Sequence, residues 1–102
     1  MKKKKLILNL KKEYFEDIKN GIKKYEYRLN KDFWKKRLSH DYETIEIRLG
    51  YPKSDDLDKI LFFKWDGFNE EMLTHKEFGA NPVSVFAISL LKPLKEQEKE
   101  IV

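Results

Sequence analysis

Residues 14–28 read YFEDIKNGIKKYEYR, and the pattern of this stretch predicts three successive elements. In the first part of the stretch, apolar side chains recur at helical spacing, which predicts a helix over 11–20. Gly21 stands where a residue in the left-handed conformation often ends a helix. Tyrosines then alternate with Glu26 and Arg28, which is the period of a β-strand. The stretch therefore predicts a helix, a glycine cap and a strand in succession.

The segments on either side of this stretch show the same two periodicities. Alternation over 43–49 predicts a strand with isoleucines on its inner face and with Glu46 and Arg48 facing solvent. Asn30 has a residue type that commonly caps the N-terminus of a helix. The full set of predicted elements is a strand over 6–10, a helix over 11–20, a strand over 23–29, a helix over 30–38, strands over 43–49 and 59–66, a short helix between Asn69 and Gly79, and a strand over 83–91.

This order of elements predicts the class of the fold. Only two connections hold helices long enough to join parallel strands, so a mixed or closed sheet is expected rather than a doubly wound one. We predict an α+β fold, a small β-barrel with peripheral helices. A chain of 102 residues has the length of one domain, which is expected to span 1–102. The predicted core includes Phe62, Phe63, Phe86 and Ile88.

The residue types that are missing exclude several kinds of site. The chain has no cysteine, which excludes disulfides, thiolate zinc sites and thiol enzymes. Neither His40 nor His75 has a second histidine at metal-ligand spacing, and we interpret His75 as a partly exposed helix residue. The sequence also has no glycine-rich phosphate loop. We therefore expect neither a metal nor a cofactor.

Positive charge is concentrated in the first half of the sequence. Residues 1–53 contain sixteen Lys and Arg against eight Asp and Glu, whereas residues 54–102 contain six against ten. A cationic face of this kind can bind phosphate, so RNA or a nucleotide-like ligand is an expected partner. The alternative is an ordinary solvated surface whose lysines reflect an AT-rich genome.

The N-terminus mimics the start of a signal peptide, because Met1 and four lysines precede an apolar segment. That segment is too short for a signal peptide, and no apolar run approaches the roughly 20 residues that span a bilayer. We therefore expect a cytoplasmic protein of a prokaryote or a virus, with no membrane partner.

Aromatic and basic residues near the ends of the predicted elements are candidates for ligand contacts. Flat rings can stack on a base, and neighbouring cations can hold its phosphate. Large aromatic side chains also fill protein cores, so both roles stay open for the two tryptophans. The rings are Trp34, Tyr51 and Trp65, and the basic residues are Lys35, Lys36, Arg37 and Lys53.

The pair Glu26 and Arg28 can be interpreted in two ways. Two residues apart on one strand face, the side chains form either an exposed ion pair, which contributes little, or two groups that point together into a pocket. Lys23 can add a cation at the mouth of that pocket if it precedes the regular strand. If the strand already begins at Ile22, alternation puts Lys23 on the opposite face from Glu26.

A known family shares this motif. The ASCH domain, a branch of the PUA-like superfamily, has the run Φ-Φ-x-x-I-x-x-G-x-K-x-x-E-x-R, where Φ is apolar or aromatic. The chain resembles this domain over residues 3–92, and its loop over 50–53 is similar to the loop of small phage and bacterial members. The residues that match the motif are Tyr14, Phe15, Ile18, Gly21, Lys23, Glu26 and Arg28.

The resemblance implies a PUA-like β-pseudobarrel with a ligand cleft beside the motif strand. Members of the family are thought to bind RNA or modified nucleosides. We therefore predict an RNA- or nucleotide-binding domain in which Lys23 and Arg28 supply positive charge and Glu26 accepts hydrogen bonds. The full set of predicted ligand-binding residues is Lys23, Glu26, Arg28, Trp34, Tyr51, Lys53 and Trp65.

Two other classes of function stay open. A similar subgroup acts as an acetylcytidine amidohydrolase with a lysine, a threonine and a glutamate, and some members are reported to be ribonucleases. Lys23 falls on that lysine, Glu26 occupies the threonine position, and the glutamate is one of Glu70, Glu71 or Glu77. If the chain is a hydrolase, Glu26 is the general base and Lys23 stabilises the oxyanion. The other class is a protein-interaction module that uses the acidic second half.

Overall fold

The alternating segments of the chain pair into small β-sheets, and helices connect the first three strands. The computed structural model describes residues 4–53, 55–76 and 79–94. These residues form six β-strands and two α-helices, and a short 3₁₀ turn, Leu57–Lys59, precedes the fourth strand. In chain order the elements are β1 (Lys5–Leu10), α1 (Lys12–Lys19), β2 (Tyr25–Leu29), α2 (Asp32–Leu38), β3 (Thr44–Leu49), β4 (Ile60–Lys64), β5 (Phe68–His75) and β6 (Gly79–Ser89).

The strands are arranged in two three-stranded sheets. In the first sheet, β1 pairs in parallel with β3, and β3 pairs antiparallel with β4. In the second sheet, β6 lies between β2 and β5 and is antiparallel to both, so β1 and β2 are edge strands. The predicted α+β class is confirmed, and the first sheet is mixed as predicted. The strands described form two separate sheets rather than one closed barrel.

The core joins the apolar faces of both sheets to residues of both helices. Burial of one large apolar side chain stabilises the folded chain by about 1.5–3 kcal/mol. Of the predicted core residues, Phe63, Phe86 and Ile88 are buried, whereas Phe62 is only partly buried. The buried cluster consists of Leu6, Leu8, Leu10, Phe15, Ile18, Leu38, Ile45, Ile47, Phe63, Phe86, Ile88 and Leu90.

The turn between α1 and β2 sets the position of the motif residues. Gly21 follows α1 with a φ of 76°, so the predicted glycine cap is confirmed. The backbone N–H groups of Ile22 and Lys23 both donate to the carbonyl oxygen of Asp17, at 2.9 and 3.0 Å. Because β2 begins only at Tyr25, Lys23 lies in this turn and not in the regular strand.

The prediction of a short helix between Asn69 and Gly79 is wrong. The segment is the strand β5, which pairs with β6 from Phe68 to His75. β6 is eleven residues long and already begins at Gly79, so its edge offers ladder hydrogen bonds along the whole segment. This pairing overrides the weak local helical pattern. His75 is therefore a strand residue and not a helix residue.

The prediction that Asn30 caps the second helix is also wrong. α2 begins two residues later, at Asp32, and the residue at its N-cap position is Lys31, which makes no side-chain capping hydrogen bond. Asn30 contacts the second sheet instead, since its Nδ2 group donates to the hydroxyl oxygen of Ser84 at 3.0 Å. The side chain of Asn30 thus joins the end of β2 to β6.

The prediction that Glu46 faces solvent is wrong, because only 5% of this residue is exposed. Its neighbours across the ladder are Ile7 in β1 and Phe62 in β4, so it lies between apolar residues. Lys5 approaches the carboxylate to 2.7 Å, and Arg48 donates to it from Nε and Nη2 at 3.2 and 2.7 Å. Arg48, also predicted to face solvent, has a side chain that is only 21% exposed. The three side chains form a cluster that we name the Glu46 cluster.

Candidate functional site

A cavity of about 280 Å³, here the first cavity, opens between the edge strands β1 and β2. The end of β1 forms one wall and β2 forms another, while α1 and β5 each add side chains. β1 and β2 belong to different sheets and do not pair with each other, which leaves room for the cavity. Its lining residues are Asn9, Leu10, Lys11, Tyr14, Lys23, Glu26, Tyr27, Arg28, Leu73 and His75.

A buried carboxylate lies in the wall of the first cavity. Only 4% of Glu26 is exposed, and both of its carboxylate oxygens have cationic partners. Nζ of Lys23 donates to Oε1 at 2.6 Å, and Nη1 of Arg28 donates to Oε2. The side chains of both cations are only 20% exposed. Because the cations compensate the buried negative charge, the three side chains hold each other in place, and we name them the Glu26 cluster.

The lysine of this cluster also contacts two tyrosine rings. Nζ of Lys23 lies 4.7 Å from the ring centre of Tyr14 and 5.8 Å from that of Tyr27, which are cation–π distances. Burial raises the pKa of Tyr27, and the negative charge of Glu71 raises that pKa further. The Tyr27 hydroxyl therefore stays protonated at neutral pH and can donate a hydrogen bond.

Arg28 also borders a second cavity, of about 220 Å³. There its guanidinium carbon lies 5.3 Å from the ring centre of Trp34, and that of Arg37 lies 5.5 Å from the same ring. Nη2 of Arg37 donates to the backbone carbonyl of Ile7 at 3.0 Å, which holds α2 against the edge of β1. The lining residues of this second cavity are Ile7, Leu8, Asn9, Arg28, Phe33, Trp34, Arg37 and Tyr51.

Tyr51 stands at the rim of the second cavity and of a third one, of about 320 Å³. The N–H of Gly50 donates to the carbonyl oxygen of Leu10 at 3.0 Å, which holds the loop after β3 beside the end of β1. Gly50 adopts a φ of 62°, which glycine tolerates without strain. Asn9 lines all three cavities, so all three lie beside the end of β1. The third cavity is lined by Asn9, Leu10, Lys11, Gly50 and Tyr51.

Five of the seven predicted ligand-binding residues line these cavities, and two do not. Trp65 packs against the core, with its ring centre 5.2 Å from that of Tyr42 and 6.3 Å from that of Phe68. Lys53 is exposed and is absent from the three walls. The structure brings together Lys23, Glu26, Arg28, Trp34 and Tyr51.

Several wall residues are not among the predicted site residues, and His75 and Asn9 are two polar examples. His75 lines the first cavity, with its ring centre 5.8 Å from that of Tyr14. Its position follows from the pairing of β5 with β6, which the predicted helix excluded. Asn9 did carry a signal, since it is the one polar residue in the apolar stretch 6–10.

Among the described residues, the first cavity has no counterpart of the threonine of the similar amidohydrolases and no glutamate besides Glu26. Glu70 and Glu71 are exposed residues of β5 outside its wall, and Glu77 lies outside the described residues. The described lining residues include no serine or threonine.

The charged groups in the three walls are mostly cationic. Among the described lining residues, Lys11, Lys23, Arg28 and Arg37 stand against a single carboxylate, that of Glu26. Such a surface attracts phosphate groups. Within the part of the chain that the structure describes, no group of His, Asp or Glu side chains is placed to hold a metal ion. No helix in that part is long and apolar enough to cross a membrane.

The segment that supplies most of the first cavity is also the segment that matches a known family. Residues 8–40 match the family model of the ASCH domain. The resemblance to the ASCH domain is thus confirmed over these residues, which include the whole Glu26 cluster and Trp34. ASCH domains have a PUA-like, barrel-type fold and are generally associated with RNA binding. No match was found among curated proteins or among solved structures.

Proposed function

We propose that this chain binds RNA and that the first cavity accommodates one nucleoside unit of the ligand. The main support is the Glu26 cluster, a buried carboxylate held between two cations in the wall of a cavity that also contains tyrosine rings. Polar groups of this kind offer hydrogen bonds to a base and positive charge to a phosphate. The volume of about 280 Å³ is near the lower limit of small-molecule sites, which suits one nucleoside better than a large ligand.

The guanidinium group of Arg28 has N–H donors that can bind the ligand. A guanidinium group has five N–H donors in a planar fork. The hydrogen bonds of Arg28 to described residues, which go to Glu26 and to the carbonyl oxygen of Tyr27, both use Nη1. Nη2 and Nε can therefore bind a phosphate or the edge of a base.

Glu26 has acceptor capacity left as well. An ionised carboxylate has about four lone-pair sites, and Lys23 and Arg28 occupy one on each oxygen. A remaining site can accept a hydrogen bond from an exocyclic amino group, as carboxylates do with cytosine. Because both cations hold the carboxylate in one orientation, it needs no rearrangement to bind. In this proposal Glu26 recognises the base, and Lys23 and Arg28 bind the charged part of the ligand.

Binding of short RNAs to three variants tests this function. Lys23→Ala and Arg28→Ala each remove one cation from the first cavity, whereas the control Lys64→Ala removes an exposed lysine of β4 outside the three walls. We expect each cavity variant to weaken binding about tenfold, since a hydrogen bond to a charged group contributes about 1.5–3 kcal/mol. The control should bind like the parent. Affinity for single-stranded and hairpin RNA should fall steeply with salt if phosphate contacts contribute.

Two results would contradict this proposal. Equal binding by the parent and both cavity variants would place the RNA elsewhere on the surface. No binding by the parent would favour a protein partner, as expected of an interaction module with an acidic half. Circular dichroism of each variant confirms that a loss of binding is not a loss of fold.

Hydrolysis of RNA is the second candidate function, and the position of His75 favours it. This histidine lines the same cavity as Lys23 and Glu26, so groups suited to proton transfer and a cation share one site. The threonine of the similar amidohydrolases is replaced by Glu26, so that reaction has less support here. Analysis of the same RNA samples for products separates the candidates. Cleavage that is lost in His75→Ala and in Lys23→Ala supports the enzyme, and intact RNA supports binding alone.

A further inference from the structure

The first and second cavities share part of their walls. Arg28 and Asn9 line both, so a ligand in the first cavity can continue past Arg28 into the second. The chemistry of the second cavity is different, because its described lining residues include no carboxylate. Three aromatic rings and two guanidinium groups line it instead, those of Phe33, Trp34, Tyr51, Arg28 and Arg37.

Two of these aromatic rings are accessible to a ligand. Phe33 is 64% exposed and Tyr51 is 92% exposed. The ring of Phe33 packs edge-on against Trp34, with ring centres 5.2 Å apart and planes at 84°, and this contact restricts its movement although the ring is exposed. Exposed rings beside cationic groups are the surfaces on which single-stranded nucleic acids stack their bases.

We propose that the second cavity is a second base site and that the ligand is a single-stranded RNA of at least two nucleotides. One base occupies the first cavity, and the next stacks on Phe33 or Tyr51. Arg28, between the two cavities, binds the phosphate that links the nucleotides. This inference rests on the proposed binding of RNA in the first cavity.

An RNA that places one base in each of the two cavities must be single-stranded. Volumes of about 280 and 220 Å³ accept individual bases, and each base must leave its neighbours to enter. In a duplex the bases are paired and stacked, and they expose only their edges in the grooves. Proteins that read RNA sequence commonly bind bases that have been splayed out of a loop or a single strand.

The test compares mononucleotides with dinucleotides in NMR titrations of the full chain. The probes are 5′-AMP and 5′-UMP against the dinucleotides ApA and UpU. We expect a dinucleotide to bind roughly 5- to 100-fold more tightly than its mononucleotide, as stacking of one more base provides. Phe33→Ala and Tyr51→Ala should reduce this ratio of affinities, whereas Tyr51→Phe keeps the ring and should keep the ratio. Lys64→Ala should keep it too.

The outcomes separate the second site from the proposed function. A dinucleotide that binds no more tightly than the mononucleotide overturns the second site and leaves the first in place. A gain that persists in both alanine variants also overturns it, because the second base then binds elsewhere. If neither kind of probe binds, RNA binding in the first cavity fails, and the second site fails with it.

Discussion

Glu26 in β2 and Glu46 in β3 are buried carboxylates, and each is held by two cations. Each pairs with an arginine two residues later in its strand and with a lysine, and only 4% and 5% of the two glutamates are exposed. The lysine nitrogen lies 2.6 Å from the carboxylate in the Glu26 cluster and 2.7 Å in the Glu46 cluster. The two clusters therefore have the same chemical groups and similar lysine distances, although Arg28 donates from Nη1 alone and Arg48 from both Nε and Nη2.

The clusters differ in the place of their strands within the sheets. β3 is the central strand of the first sheet and pairs on both sides, whereas β2 is an edge strand. The Glu26 cluster consequently borders the first cavity, and none of the Glu46 cluster lines any of the three cavities. A Glu-x-Arg pair with a nearby lysine therefore does not by itself lie beside a cavity. The open edge of the sheet at β2 provides the space that the first cavity occupies.

The largest effect is expected from removing each carboxylate in turn. Glu26→Ala leaves Lys23 and Arg28 close together, and their side chains, only 20% exposed, have little freedom to move into water. We expect the free energy of unfolding to fall by about 3 kcal/mol, at the low end for a broken buried ion pair. Glu46→Ala should cost about 1–2 kcal/mol, since the side chain of Lys5 is already 52% exposed and can turn to solvent. Urea unfolding of both variants measures the difference.

Equal losses of stability in the two variants would contradict this expected difference between the clusters. They would mean that the exposure of the remaining cations does not affect the loss in free energy of unfolding. The loss would then come from the volume of the side chain that is removed. Glu26→Gln and Glu46→Gln, which keep most of that volume, separate the two contributions.

A smaller effect should separate binding from stability. Arg48 donates to Glu46 from both Nε and Nη2, and a lysine cannot make both bonds, so Arg48→Lys should lower the free energy of unfolding by about 1 kcal/mol. RNA affinity should not change. Arg28→Lys loses less stability, because Arg28 binds Glu26 through Nη1 alone, but it loses the planar fork proposed to face the ligand. We expect RNA affinity to fall roughly tenfold.

Urea unfolding and RNA titration of both lysine variants check that Arg48→Lys loses mainly stability and Arg28→Lys loses mainly RNA affinity. A loss of RNA binding in Arg48→Lys that equals the loss in Arg28→Lys would remove the functional difference between the clusters.

Local sequence spacing predicts much of the Glu26 side of the molecule. The helix before Gly21, the positive φ at that glycine and the strand with Glu26 depend on neighbours within a few residues, so periodicity is enough to find them. The turn that brings Lys23 to Glu26 is also local. Spacing left open whether Lys23 precedes the strand or lies in it on the face opposite Glu26. Because β2 begins at Tyr25, Lys23 precedes the strand.

The features that the sequence did not predict depend on distant partners. The burial of Glu46 follows from Ile7 and Phe62 on the neighbouring strands, and a single strand pattern does not contain them. β5 forms because β6 offers a long edge, so the position of His75 in the first cavity follows from pairing and not from its own segment. Trp65 likewise finds its aromatic partners only in the folded chain.

The smallest effect concerns the pH dependence of the Glu46 cluster. Burial raises the pKa of Glu46, but hydrogen bonds from Lys5 and then Arg48 more than offset it and hold the pKa below its ordinary value of 4.5. A carboxyl group whose pKa is lower in the folded chain stabilises the fold above pH 4.5, and this contribution disappears as the pH falls through the folded pKa. Glu46→Gln should therefore lose less stability than the parent when urea unfolding is followed from about pH 6 to about pH 3. Parallel profiles would instead mean that packing against Ile7 and Phe62, rather than the charge of Glu46, holds this cluster in the fold.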